Sequence, residues 1–137
     1  IIEWVAFASN AFNVLVPFYA DVNEIPEYLG NTTGEVSTDN FYWSSRLIAA
    51  MAAASYRKSI FHIERYQEHV MSRAHELIGL CDASLAKESD ADKRLELKQK
   101  ANQALADMLK AETASTLDKV LYELSNLMKN AYSRSDA

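Results

Sequence analysis

From Asn40 onward the chain holds no Pro and a single Gly, Gly79, so almost nothing in that stretch interrupts a helix. Tight turns depend on the left-handed backbone that Gly supplies and the fixed φ that Pro supplies. A chain short of both turns seldom, and a few long helices are the expected outcome. The full sequence has 3 Gly and 2 Pro, against roughly 10 and 7 at average usage. All five lie between Pro17 and Gly79. A length of 137 residues suffices for one sizeable hydrophobic core and not for two ordinary domains.

Ser37-Thr38-Asp39-Asn40 is a run of helix-capping residues, which predicts a helix beginning at Phe41. Leu47, Ile48, Met51, Ala52, Ile60, Ile63, Tyr66, Val70, Met71, Ala74, Leu77, Ile78 and Cys81 then recur at spacings of three and four, the signature of one helical face. They predict a helix over 41–85, with room for a break between Ser55 and Ser59. Residues 86–92 are polar, and Ser89 or Asp90 can cap a second helix. The stripe from Leu95 through Leu105, Leu109, Leu117, Val120, Leu124 and Leu127 to Ala131 predicts that helix over 90–132. Two such helices joined by a short polar link form an antiparallel helical hairpin. The tail from Ser133 to Ala137 is expected to fray.

The front of the chain has a different character. Of the 14 aromatic residues, twelve lie at or before Tyr66. Residues 1–45 carry six carboxylates and no Lys or Arg, while the remainder balances 14 basic against 13 acidic residues. Ile1 to Ser9 is rich in β-branched and aromatic residues and reads as a strand, Asn10 to Asn13 as a turn, and Val14 to Tyr19 as a second strand. Pro17 cannot donate to a ladder, which places it on an edge strand or at the end of its own strand. A two-stranded hairpin is marginal alone and needs helices or further strands to cover it. Residues 20–40 read as a loop. Its Asn31-Thr32-Thr33 matches a glycosylation sequon, but no stretch of these residues resembles a signal peptide and a plain loop is the preferred reading. The fold class is therefore mainly α with a short antiparallel β-hairpin, an α+β arrangement: hairpin 1–19, loop 20–40, helices 41–85 and 90–132.

The formal net charge of −5 and pI near 5.2 lack the basic surplus that nucleic acid demands. No apolar run is long enough to span a bilayer. A soluble, cytoplasmic protein is expected, with neither nucleic acid nor membrane as partner. Cys81 is the one cysteine, so no internal disulfide can form. It lies on the apolar stripe beside Leu77 and Ile78, where a packing role is preferred over nucleophilic chemistry. His62, His69 and His75 lack the His-Glu-x-x-His and Glu-x-x-His spacings that converge on a metal, and are read as surface or packing residues. The carboxylates of the front segment are scattered rather than paired, and a solvated loop explains them better than acid–base catalysis. Arg46 is the first basic residue of the chain, one turn inside a helix that opens with Phe41-Tyr42-Trp43. It can clamp a carboxylate or pair with one of the six nearby acids. By spacing alone, no catalytic constellation emerges.

Trp4 to Tyr19, then Ile25-Pro26-Glu27-Tyr28-Leu29, then Ser37 to Ile48, and Ile63-Glu64-Arg65-Tyr66-Gln67, in that order and spacing, resemble the C-terminal part of the dipeptidase A family. These are cysteine-type N-terminal-nucleophile dipeptidases related to secernins. The resemblance covers about residues 1–80; the later helix is generic. It implies an αββα sandwich, a terminal Cys nucleophile whose own α-amino group is the base, and broad dipeptide substrates. It implies no cofactor and no metal. Here the chain departs from the family, since residue 1 is Ile1 and Cys81 is internal. The expectation is a C-terminal fragment, inactive alone, whose partner is the missing N-terminal part of the same protein. For that enzyme Asn10 and Asn13 are candidate oxyanion donors and Arg46 a candidate for the dipeptide's terminal carboxylate. An alternative of another class is a non-catalytic helical-hairpin module that forms homo-oligomers through its apolar stripe.

Overall fold

The computed structural model describes residues 1–5, 12–32 and 34–136, with side chains described as far as Lys129. The order of elements is β1 (Ile2–Val5), β2 (Val16–Tyr19), α1 (Glu27–Gly30), α2 (Phe41–Ala54), α3 (Tyr56–Leu85) and α4 (Ala91–Asp136). Mostly helix with one two-stranded antiparallel sheet, the fold class is as the sequence predicts. The expected loop over 20–40 carries the single turn α1, and the expected first strand is described only as far as Val5.

Each helix boundary has a local cause. Asn40 is extended (φ −131°, ψ 154°), and its side chain accepts from the Trp43 amide at 2.9 Å, starting α2. Such a cap contributes about 1 kcal/mol. Where a continuous 41–85 helix with room for a break was expected, Ser55 separates α2 from α3 at φ −129°, ψ 39°. Its hydroxyl donates back to the Met51 carbonyl at 2.7 Å and lies 2.6 Å from the Ser59 hydroxyl. A serine that bonds to its own preceding turn competes with the helical ladder, and the axis breaks there. At the far end of α3 the Arg94 guanidinium donates to the carbonyls of Leu85 and Glu88, satisfying groups that a helix terminus leaves open. The Asp90 side chain accepts from the Asp92 amide at 3.0 Å and starts α4.

The pairs Tyr66–Thr113, His69–Glu112, Cys81–Leu97 and Leu85–Arg94 rise in number along α3 as they fall along α4, so the two helices are antiparallel. Ile63, Val70, Leu105, Leu109 and Val120 are fully buried between them and α2. Each large aliphatic side chain so enclosed contributes about 1.5–3 kcal/mol. The Tyr66 hydroxyl meets the Thr113 hydroxyl at 2.8 Å inside this core, so its polar end is satisfied. Burial raises the Tyr66 phenol above its ordinary pKa.

The sheet lies across the same helices. Ile2 opposes Tyr19, Glu3 opposes Phe18, Trp4 opposes Pro17 and Val5 opposes Val16. All four residues of β2 are buried, whereas Ile2, Glu3 and Trp4 of β1 are exposed. One strand is thus inside the helical body and the other on its flank.

Candidate functional site

The strands, the 20–30 loop and α4 enclose a concavity of about 410 Å³, lined among others by Glu3, Phe18, Glu24, Ile25, Leu29 and Asn102. That volume lies within the range of small-molecule sites. Alternation along the strands explains who faces it: Glu3 and Val5 share one face of β1, with Phe18 opposite Glu3. The loop supplies the opposing wall through Val22, Pro26 and Gly30. The lining is largely apolar, and its charged members, Glu3 and Glu24, are both acidic. The place is suited to an apolar group that ends in a cation.

Asn102 holds the rear of this concavity. Its Oδ1 accepts from the Tyr19 amide at 2.8 Å and its Nδ2 donates to the Tyr19 carbonyl at 2.9 Å. A side-chain amide offers one acceptor and one donor in the geometry of a peptide group, so Asn102 acts toward β2 as a neighbouring strand would. It is 2% exposed, and the bonds are correspondingly hard for water to replace. Beyond it the Tyr19 hydroxyl donates to Asp82 at 2.6 Å. Burial first, and then the Asp82 carboxylate, push the Tyr19 phenol well above its ordinary range, so it stays a donor. Lys98 bonds the Asp21 carboxylate, and that hydrogen bond holds Asp21 below the usual carboxylate range.

The residues singled out from sequence do not gather at this concavity. Asn13 is buried in the segment leading into β2, where its main-chain carbonyl accepts from Gln67 at 2.9 Å. Arg46 is exposed on α2; it donates to the Tyr42 hydroxyl at 3.0 Å, and its guanidinium lies 5.4 Å from the Tyr42 ring and 5.8 Å from the Trp43 ring. Neither lines the cavity. Asn10 falls outside the described residues. Cys81 is buried with its Sγ 3.6 Å from the Leu97 carbonyl. His62 faces Glu123 at 3.2 Å and His69 faces Glu112 at 3.7 Å, while His75 lies against Trp4 with ring centroids 5.8 Å apart. Among the described residues no group of three or more His, Cys, Asp or Glu is placed to hold a metal ion. No described helix is long and apolar enough to cross a membrane.

Asn102 was missed from sequence, although a signal was present. It stands three and seven residues before Leu105 and Leu109, an amide set on an apolar stripe. A polar residue in such a position needs a partner once buried, and the partner proves to be backbone.

Residues 1–69 match the model of peptidase family C69. Over 135 residues the chain is 40% identical to the probable dipeptidase A of Streptococcus pyogenes serotype M18, covering 98% of this chain and 28% of that protein. To the dipeptidase of Bifidobacterium longum it is 34% identical over 172 residues, 98% of this chain and 32% of that one. The probable dipeptidase B of Lactococcus lactis subsp. lactis is 32% identical over 113 residues, 82% of this chain and 23% of its own length. The similarity extends through α4, a helix that reads as generic from its sequence. The chain spans less than a third of the length of these relatives.

Proposed function

The chain belongs to peptidase family C69, and from that membership we propose that it forms part of a bacterial, cytoplasmic dipeptidase whose N-terminal Cys nucleophile is not among these 137 residues. The observation that carries the reading is the breadth of the similarity: identity to proteins named dipeptidases runs over 98% of the chain. In such an enzyme the terminal thiolate attacks the peptide carbonyl, the α-amino group takes up the thiol proton and passes it to the leaving amine, and water then frees the acyl group. Cys81 is enclosed and hydrogen-bonded to backbone, which supports placing the nucleophile elsewhere.

Within that enzyme this chain contributes shape and charge. The concavity between the strands and the 20–30 loop borders the substrate, and Glu3 and Glu24 face the ammonium that every dipeptide carries. Arg46, exposed on α2 and apart from the concavity, remains the residue proposed for a substrate carboxylate on the strength of its guanidinium alone. Asn10 and Asn13 remain the amides proposed for the oxyanion.

The test is hydrolysis by the full-length enzyme. Dipeptides are cleaved by it and not by the 137-residue chain; cleavage by that chain which survives Cys81→Ala overturns the assignment of the nucleophile. Arg46→Ala in the full-length enzyme raises KM about tenfold with less change in kcat, the mark of a lost charge-assisted contact to bound substrate. An unchanged kcat/KM removes Arg46 from the site. A second reading, a helical-hairpin oligomerisation module, is favoured by one observation: Leu121, Tyr122 and Met128 are exposed near the far end of α4. Light scattering on the full-length protein separates monomer from oligomer.

A further inference from the structure

α4 grips the chain at the point where β2 becomes the 20–30 loop. Asn102 engages both backbone groups of Tyr19, the last residue of β2, as a clamp. One turn earlier on the same side of α4, Lys98 bonds the carboxylate of Asp21 just beyond the strand. Between these two polar holds Ala101 is buried in one apolar cluster with Tyr19, and Val22 and Leu97 pack against that cluster. From α3 the Asp82 carboxylate accepts from the Tyr19 hydroxyl. Tyr19, Asp21 and Val22 are thus each anchored to the helices, while Tyr19, Ala20 and Val22 also line the concavity.

The far end of the wall is seated as well, by Tyr28, which is buried against the Phe41 ring at a centroid distance of 5.9 Å. Between the two seats Asn23, Glu24 and Ile25 are exposed. The place of this wall opposite Phe18 is therefore set at its ends, and the end nearer the strands depends on α4. Lys98 and Asp21 form a partly exposed pair, with Asp21 at 45%. Such a pair adds little to stability, and its main effect is to fix where the chain leaves the strand. Small displacements of a binding wall weaken substrate contacts even when the fold is intact.

We propose that Asn102 and Lys98 are positioning residues for dipeptide binding: through Tyr19 and Asp21 they fix the root of the loop that walls the concavity, so that α4 sets the affinity for substrate and not the rate of the chemical step. This rests on the reading of the concavity as the border of a dipeptide site. Asn102 acts through the strand, since its Oδ1 and Nδ2 are both turned to the Tyr19 backbone. Lys98 acts through the loop, since its ammonium is held by Asp21 and it is not among the residues lining the concavity.

Steady-state kinetics of the full-length enzyme on an unblocked dipeptide, alanyl-leucine, test this. Asn102→Asp keeps the shape of the side chain. Protonated, the introduced carboxyl accepts from the Tyr19 amide and donates to the Tyr19 carbonyl as the amide does; ionised, it can only accept. Burial beside a carbonyl oxygen raises the pKa of such a carboxyl above the ordinary carboxylate range. The ratio of variant to parent KM is expected to be about tenfold at ~pH 8 and to fall toward unity at ~pH 5.5, with the kcat ratio flat throughout. Lys98→Met, which removes only a partly exposed pair, raises KM about threefold with kcat unchanged. A KM ratio for Asn102→Asp that does not vary with pH, or a fall in kcat with KM unaltered, overturns the proposal, because Asn102 is then a structural support alone. Should Asn102→Asp fail to fold, Lys98→Met decides, and an unchanged KM there overturns it. A parent enzyme that hydrolyses no dipeptide removes the dipeptidase reading and the positioning role with it, whereas hydrolysis by the parent with unaltered KM in both variants keeps that reading and removes the positioning role.

Discussion

The two strands of the sheet are the same length and directly paired, yet they belong to the molecule in different ways. β2 is buried at every residue, with Asn102 of α4 bonded to its backbone and the Tyr19 hydroxyl tied to Asp82 of α3. β1 is exposed at Ile2, Glu3 and Trp4, and its contact with the helices includes the Trp4 ring against His75. Hydrophobic burial and satisfied hydrogen bonds hold β2 to the helices, while β1 is held mainly by β2. A strand can thus be integral to the helical body while its neighbour lies on the flank.

That contrast can be broken at graded points, each read as a shift in urea stability of the full-length protein. Leu105→Ala empties a fully buried position among α2, α3 and α4 and is expected to cost about 3–4 kcal/mol, loosening the body to which β2 is attached. Asn102→Leu keeps the volume but strands the Tyr19 amide and carbonyl in a dry place; about 2–3 kcal/mol is expected from two unsatisfied groups that partly relax. A loss below about 1 kcal/mol would mean that apolar packing alone seats β2 and that the clamp is dispensable. Tyr66→Phe removes the hydroxyl that meets Thr113 and should cost about 1–1.5 kcal/mol, with the double change to Thr113→Val recovering part of it. If the double mutant is merely additive, the hydroxyl pair is not an interacting unit.

The smallest effect concerns Asp21 at the mouth of the strand pair. Its folded pKa is lowered by Lys98, so its contribution to stability is present above the ordinary carboxylate pKa and is lost as pH falls through the lowered value. The carboxylate is 45% exposed, and solvent screening limits the contribution to about 0.5 kcal/mol or less. Asp21→Asn should leave the stability near neutral pH almost unchanged and flatten its decline in the acid range. An unaltered acid profile would show that the Lys98 pairing is not maintained in solution.

The helices could be read from the sequence because their cause is local. Scarce Gly and Pro, the Asn40 cap and the three-and-four spacing from Leu47 to Cys81 each act over a few residues. The break was legible only as a region, since a serine that bonds backward at Ser55 looks like any other serine. Pro17 left open an edge or a strand end, and the structure adds what the sequence could not, Asn102 bonded to the backbone of Tyr19 beside it. The concavity was not legible, because Glu3, Leu29 and Asn102 meet only after the chain has folded back on itself. Asn13 and Arg46 were chosen for their chemistry, and chemistry carries no information about distance: one lies under α3 and the other on the outside of α2.

The Asn102 clamp also constrains how the gene can drift in length. Successive residues on a helix are turned by about 100°, so one residue inserted between Ala91 and Asn102 rotates the amide off the strand it holds. The same insertion in the link of residues 86–90 precedes the helix and leaves its phase unchanged. Insertions and deletions among relatives should therefore collect in the link and avoid the first three turns of α4, even though those turns carry much exposed, variable-looking surface.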